Sequence, residues 1–151
     1  GMNFSRPGAQ VVGQYFNFLH LGREGFRQRM ACLEGIACHL ADHLAALEPL
    51  RLVSHPRGQL PVFAVELDPA VTTWTVFHLS SMLRTRGWLV PAYTLPANQE
   101  ERAVLRFVVR AGFSWDMADQ LLADVERNLS WLATIEAPLP PAPGNGTAFR
   151  H

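Results

Sequence analysis

The sequence predicts an α+β domain with a long amino-terminal helical segment and a small, mostly antiparallel sheet of about four strands with helices on one face. Three observations support this fold class. Apolar residues recur at three- and four-residue steps from Pro7 to about Leu47, which is a helical period. After Glu48 and Pro49 the pattern changes to short runs rich in β-branched and aromatic residues. Helical stretches then alternate with these runs.

The first helical segment is too long for one compact domain. Unbroken, it would measure about 60 Å at 1.5 Å per residue, whereas a domain of this size has a radius of gyration near 15 Å. Gly22 and Gly25 are the positions at which we expect it to break or bend. Its amino-terminal half is rich in aromatic residues that predict contact with a further surface: Tyr15, Phe16 and Phe18.

The middle of the chain predicts a hairpin followed by a helix. "RLVSH" (51–55) and "PVFAVEL" (61–67) flank the turn-like "PRGQ". Thr72 or Thr73 is expected to cap the next helix, which should close at Gly87 after two arginines.

The last part predicts two strands and a helix. "WLVPAY" (88–93) indicates a short strand, and Pro91 favours an edge position for it. "RAVLRFVVRAG" (102–112) indicates a second strand, after which Ser114 should cap a helix that runs to about Leu132. We therefore divide the chain into a start or tag scar (1–2), a helical segment (3–48), an α/β small domain (49–134) and a flexible Pro/Gly-rich tail (135–151).

The strand at 102–112 carries an arginine at every fourth position. Because even separations return to the same side of a strand, Leu105, Phe107 and Val109 should face the core. The opposite face should then hold Arg102, Val104, Arg106, Val108 and Arg110. The arginines are either solvated charges or part of an anion site, and Arg106, which has valines as its neighbours on that face, is the strongest candidate for a ligand role.

Composition excludes several functions. The net charge is zero, which gives no attraction to nucleic acid or to an anionic membrane, and no apolar run reaches the ~20 residues of a membrane span. Two cysteines, Cys32 and Cys38, do not make a disulfide framework and favour a cytoplasmic location. His39 and His43 lie one helical turn apart, but without a third ligand they predict an outer helix face and no metal site.

All thirteen basic residues other than histidine are arginine, so the chain contains no lysine. It therefore cannot form a Schiff base through a lysine of its own.

Three segments resemble the glutamate decarboxylases, which are fold-type I pyridoxal-phosphate enzymes. "NFSRPGAQVVGQYFNFLHLGREGF" (3–26) is similar to the segment that follows the cofactor lysine in that family. "LRTRGWLVPAYTLP" (83–96) and "VLRFVVRAGFSWDMADQLLADV" (104–125) are similar to its carboxy-terminal domain, in the same order and at fitting spacing. The resemblance covers nearly the whole chain.

The resemblance implies that the chain is the small domain of an enzyme that converts L-glutamate to 4-aminobutyrate and CO2 with pyridoxal 5'-phosphate. The cofactor lysine would lie in a large amino-terminal domain that these residues do not include, so the chain alone should be inactive. The intact enzyme would be a homo-oligomer, at least a dimer. The alternative is a free-standing binding or dimerisation module derived from that domain.

The resemblance also implies roles for single residues. Ser5, in "FSR", would approach the cofactor phosphate in the neighbouring subunit, and Arg106, in "VLR", would hold the α-carboxylate of the substrate. Arg110 is expected to be a charge at the rim. His151 corresponds to a histidine near the end of bacterial relatives, where the tail can close over the active site.

Overall fold

The structure is a computed structural model and describes residues 7–142. The chain divides into two compact units, residues 1–32 and residues 33–151. Ser5 and His151 both lie outside the described residues. Within 7–142, no helix combines the length and the apolar character that crossing a membrane requires.

The first helix, α1, spans Ala9–Ala45 and is interrupted at Gly22, whose backbone is non-helical with φ 56° and ψ −175°. This conformation is open almost only to glycine, because a side chain would clash with the backbone. The expected break in the helical segment is therefore confirmed at Gly22, whereas Gly25 keeps the helical conformation.

The described part of the first unit exposes a row of large apolar side chains on α1. Phe18 packs against Phe26 with ring centroids 5.8 Å apart, and Phe16 stacks on His20 at 5.5 Å. Beyond these local contacts, six residues that we call the apolar face of α1 are each at least 55% exposed: Val11, Val12, Tyr15, Phe16, Phe18 and Leu19.

The second unit is built on a four-stranded antiparallel sheet. The strands are β1 (Leu50–Ser54), β2 (Val62–Leu67), β3 (Ala92–Thr94) and β4 (Ala103–Val108), in the spatial order β1-β2-β4-β3. The short strand β3 lies at the edge, as Pro91 indicated. Two further helices are α2 (Val76–Thr85) and α3 (Trp115–Leu132). The α+β fold class is thus confirmed.

The core lies between one face of the sheet and the helices. On β4 the alternation is as predicted, since Leu105, Phe107 and the following Val109 are 0%, 4% and 3% exposed. Phe63 on β2 stacks on Phe107 with ring centroids 4.9 Å apart. Helical residues that complete this cluster include Ile36, Leu40, Leu44, Leu79, Leu83, Ala118, Leu121 and Val125. Burying a side chain of this size contributes about 1.5 to 3 kcal/mol.

Helix α2 begins later than the sequence predicts, because its N-cap is Thr75 and neither Thr72 nor Thr73. The backbone N–H of Thr75 donates to Nδ1 of His78 at 3.0 Å, which forms a capping box with histidine at the third helical position. A capping box normally uses Glu or Gln there, so this one could not be recognised from the residue types alone. The predicted cap of α3 is correct, since Ser114 Oγ accepts from the backbone N–H of Met117 at 3.2 Å.

The predicted strand at 88–93 is also shorter and later than expected, since β3 starts only at Ala92. The preceding residues are held by contacts outside the sheet. The backbone N–H of Trp88 donates to the backbone carbonyl of Leu83 at 3.0 Å, and Ser80 Oγ donates to the backbone carbonyl of Val90 at 2.5 Å. These bonds attach residues 88–90 to α2, and pairing with β4 begins only beyond them.

Candidate functional site

The side chain of Arg106 lies on the sheet face opposite to the core. In the register of the sheet Arg106 stands beside Ala64 of β2, and its backbone N–H donates to Pro91 O at 3.0 Å. Neither neighbour has a polar side chain. Arg106 is exposed, and these two described neighbours offer no side-chain acceptor to its guanidinium.

An aromatic ring is the main neighbour of this guanidinium. The Cζ atom of Arg106 lies 5.4 Å from the centroid of the Tyr93 ring. This is within the range of a cation–π contact, in which the ring face attracts the positive charge.

The nearest carboxylate in the register is taken by a different arginine. Glu66 stands opposite Val104, so it is a diagonal neighbour of both Arg102 and Arg106. Its Oε2 accepts from Nε and from a terminal nitrogen of Arg102, at 3.0 Å and 2.8 Å. Within residues 7–142, no carboxylate forms an ion pair with Arg106. Arg102 thus neutralises Glu66 and leaves Arg106 available to an external anion.

The third arginine of the repeat lies beyond the strand. β4 ends at Val108, and Arg110 opens a turn in which its carbonyl accepts from the Phe113 N–H at 3.0 Å. Gly112 in the same turn has φ 94°. The three arginines recur at equal spacing in the sequence, but their surroundings differ. Arg102 forms an ion pair with Glu66, Arg106 lies on the sheet without an ion pair in the described part, and Arg110 lies in a turn.

A cleft of about 640 Å³ lies beside the free guanidinium. Arg106 and Arg110 line it together with residues 87–91 and the turn at 110–113. Its walls are mainly apolar, and its described charged groups are these two arginines. A mainly apolar cleft lined by cationic residues is suited to a small anionic ligand.

One wall of this cleft is fixed by a buried carboxylate. Asp124 on α3 accepts from Trp88 Nε1 at 2.8 Å, from Arg86 Nε at 3.1 Å and from a terminal nitrogen of Arg127 at 2.7 Å. The Trp88 hydrogen bond, aided by the two guanidinium groups, holds the pKa of the Asp124 carboxyl below its ordinary value. Asp124 therefore anchors residues 86–88, from which the wall at 87–91 continues.

Neither Asp124 nor Tyr93 was predicted from the sequence as a functional residue. A signal for Asp124 was present, because it stands three residues after the core residue Leu121 and thus beside the apolar stripe of α3. A charged residue at such a position requires a partner. Tyr93 gave no equivalent signal, since its pairing with Arg106 depends on the register between two strands.

A second cleft of about 640 Å³ lies elsewhere in the unit. It is lined by residues 47–49, residues 70–74 and the end of α3, and its charged lining residues are Glu48 and Glu126. Since both of these are acidic, this cleft lacks the cationic donors that an anionic ligand requires.

The two histidines considered for a metal site contact a carboxylate and a backbone carbonyl. His39 Nε2 lies 3.3 Å from Asp119 Oδ1, and His43 Nδ1 lies 2.9 Å from the backbone carbonyl of His39. Within residues 7–142 there is no group of three or more His, Cys, Asp or Glu side chains arranged to hold a metal ion.

The chain offers no lysine for covalent attachment of pyridoxal phosphate. This attachment requires a lysine amine. Ser5, the residue that would face the phosphate, is outside the described part. Among the described residues, Arg106 presents an exposed guanidinium, a group whose paired donors suit an anion.

No protein-family model matches the chain. It is similar to curated glutamate decarboxylases, with 38% identity to the enzyme of Aliivibrio fischeri over 134 residues. That match covers 87% of this chain and 29% of the relative. The glutamate decarboxylase of Solanum lycopersicum is also 38% identical, over 92% of this chain and 27% of the relative. The chain therefore spans less than a third of the length of these relatives.

Solved structures agree with the sequence matches. The glutamate decarboxylase of Lactobacillus brevis superposes with a TM-score of 0.83 at 34% identity, over 89% of this chain and 31% of that one. A sphingosine-1-phosphate lyase of Burkholderia pseudomallei superposes with a TM-score of 0.66 at 21% identity, which shows a shared fold alone. By sequence and by structure, the chain is therefore similar to one part of the glutamate decarboxylases, less than a third of their length.

Proposed function

We propose that this chain supplies the substrate carboxylate site of a pyridoxal-phosphate-dependent glutamate decarboxylase. In this proposal Arg106 binds the α-carboxylate of L-glutamate. The observation that carries the proposal is the guanidinium of Arg106, which is exposed on the sheet, without an ion pair in the described part, and beside an apolar cleft.

The geometry of arginine suits this role. A guanidinium presents parallel N–H donors that match the two oxygens of a carboxylate, so one side chain fixes both position and orientation. Ala64 beside it leaves room for a ligand, and the ion pair between Arg102 and Glu66 removes a competing carboxylate. The orientation of the bound carboxylate then determines which bond of the substrate is presented for cleavage.

The same proposal assigns the remaining chemistry to partners of this chain. When bound, pyridoxal phosphate withdraws electrons from the bond to the departing carboxylate. Its lysine would come from the large domain of the family, so we expect no decarboxylation by these residues alone. Ser5 would approach the cofactor phosphate in a neighbouring subunit, which requires a homo-oligomer. His151 would belong to a tail that closes over the site. The two cysteines, which are free thiols, fit a cytoplasmic location.

The test uses a chimera in which this chain replaces the matching segment of the Aliivibrio fischeri enzyme. Arg106→Lys keeps the charge but loses the paired donors, since an ammonium is a point donor. Loss of a charge-assisted hydrogen bond in a desolvated site costs about 2 to 4 kcal/mol, so we expect kcat/KM for glutamate to fall roughly 30- to 1000-fold.

The matched control is Arg102→Lys, which lies outside the cleft and keeps a charge beside Glu66, so it should change kcat/KM by less than about 3-fold. The absorbance of the bound cofactor is measured in each variant, so that loss of cofactor is not mistaken for loss of substrate binding. Equal effects at both arginines, or no effect at Arg106, would contradict the proposed role.

A further inference from the structure

We propose that Tyr93 is a positioning residue for the carboxylate site, with its ring acting as a platform that directs the guanidinium of Arg106. The inference rests on the proposed function of Arg106 and adds a second residue to it. The relevant contact is the 5.4 Å separation between the Arg106 Cζ atom and the Tyr93 ring centroid.

The strand register places the ring and the guanidinium together. Tyr93 stands opposite Val104, and Arg106 follows two residues later on the same face of β4. Diagonal neighbours across an antiparallel pair are within reach when one side chain is aromatic and the other is long. The pair therefore follows from the backbone arrangement of the sheet.

An aromatic neighbour leaves the N–H donors of the Arg106 guanidinium available, whereas an acidic neighbour would occupy them. A carboxylate at this position would accept from the edge of the guanidinium and neutralise it. An aromatic face instead attracts the charge while the N–H donors, which lie in the plane of the guanidinium, remain available. The ring thus restricts the orientation of Arg106 without using the donors that the substrate needs.

The platform is itself held in place by the sheet. The next residue, Thr94, pairs with Ala103, and the Leu95 N–H donates to Arg102 O at 2.9 Å. Val104, opposite Tyr93, is only 1% exposed although it lies on the face away from the core. This covered valine indicates that the side chains around Tyr93 pack closely over the strand.

The kinetic test compares Tyr93→Leu with Tyr93→Phe in the chimera. Leucine removes the ring face, and we expect the KM for glutamate to rise roughly 3- to 10-fold with a smaller change in kcat. Phenylalanine keeps the ring face and should restore KM to within about 2-fold of the parent. Trp131→Leu, which removes a half-exposed aromatic ring from α3, is the control for loss of an aromatic side chain.

A double-mutant cycle separates this inference from the proposed function. If the ring acts through the guanidinium, Tyr93→Leu should have no further effect in an Arg106→Gln background. If Arg106→Gln alone leaves KM unchanged, the proposed function fails. If Arg106→Gln raises KM but Tyr93→Leu does not, the positioning role of Tyr93 fails by itself.

A measurement on the 151-residue chain does not require an active chimera. The Nε–Hε NMR signal of Arg106, assigned by its loss in Arg106→Gln, should carry a ring-current shift from Tyr93. Tyr93→Leu should remove that shift and Tyr93→Phe should retain it. An Arg106 signal that is the same in the parent chain, Tyr93→Leu and Tyr93→Phe would overturn the inference, because the ring would then not be stacked on the guanidinium.

Discussion

At the scale of single residues, the surroundings of a side chain decide its role more than its spacing in the sequence does. Arg102 immediately precedes β4 and Arg106 lies on it four residues later, yet only Arg102 bonds to Glu66. The difference arises on the neighbouring strands, which place a carboxylate within reach of one and an aromatic ring beside the other. The sequence indicated which face the arginines share, but the partner of each depends on strand register.

Asp124 gives the clearest prediction at this scale. Asp124→Asn removes the charge that accepts from Trp88 and two arginines, so we expect a loss of about 1.5 to 3 kcal/mol in the free energy of unfolding at pH 7. The pKa of Asp124 is lowered in the folded chain. Its stabilisation is therefore complete above the unfolded carboxyl pKa of about 3.9 and is lost as the pH falls through the folded-state value.

Urea unfolding at pH 7 and at about pH 3 measures both parts of this prediction. The difference between the parent and Asp124→Asn should be smaller at the acidic pH. Glu126→Gln, an exposed change on the same helix, should alter stability by less than about 0.5 kcal/mol at either pH. A difference for Asp124→Asn that is independent of pH would show that its charge does not contribute.

At the scale of helices and strands, the sequence correctly predicted the features that depend only on residues close together in the chain. The alternation in β4 and the cap of α3 were predicted correctly because both depend on neighbours in sequence. The start of β3 was predicted wrongly, because hydrogen bonds to distant residues hold the residues before it. Ser80 Oγ donates to Val90 O, and Trp88 Nε1 donates to the carboxylate of Asp124. The same reason applies to the proposed carboxylate site, where spacing and resemblance indicated Arg106, whereas the position of Tyr93 depends on strand register.

Two glycines of α1 should respond in opposite ways to substitution by alanine. At Gly13 the backbone is helical and a Cβ atom would meet nothing within 4 Å, so Gly13→Ala should stabilise the helix by about 0.5 to 1 kcal/mol. At Gly22 the φ of 56° is strained for any side chain, and Gly22→Ala should destabilise the observed break by about 1 to 3 kcal/mol.

Amide hydrogen exchange over residues 9–21 measures this contrast, because it reports local opening and not the unfolding of the whole chain. Exchange should become slower in Gly13→Ala and faster in Gly22→Ala. Slower exchange in both variants would mean that the helix runs straight through residue 22 in solution.

At the scale of the whole molecule, the described part of α1 carries a large exposed apolar surface. Six large apolar side chains follow one another along α1 between Val11 and Leu19, and each is at least 55% exposed. The chain also spans only 29% and 27% of two relatives that it matches. We therefore propose that this face contacts the large domain in an intact enzyme.

Without that cover, the apolar face of α1 should drive the chain to associate with itself, since contiguous exposed apolar patches of this kind favour contact with another surface. We expect sedimentation velocity at micromolar concentration to show a dimer or a larger species.

Phe16→Glu combined with Leu19→Glu places two charges in the patch and should shift the chain to a monomer. Leu60→Glu adds a charge at a residue that is 70% exposed outside the patch, and it should leave the association unchanged. A parent chain that is monomeric while residues 9–21 exchange their amide hydrogens rapidly would contradict the prediction, because the helix that forms the patch would then not persist in solution.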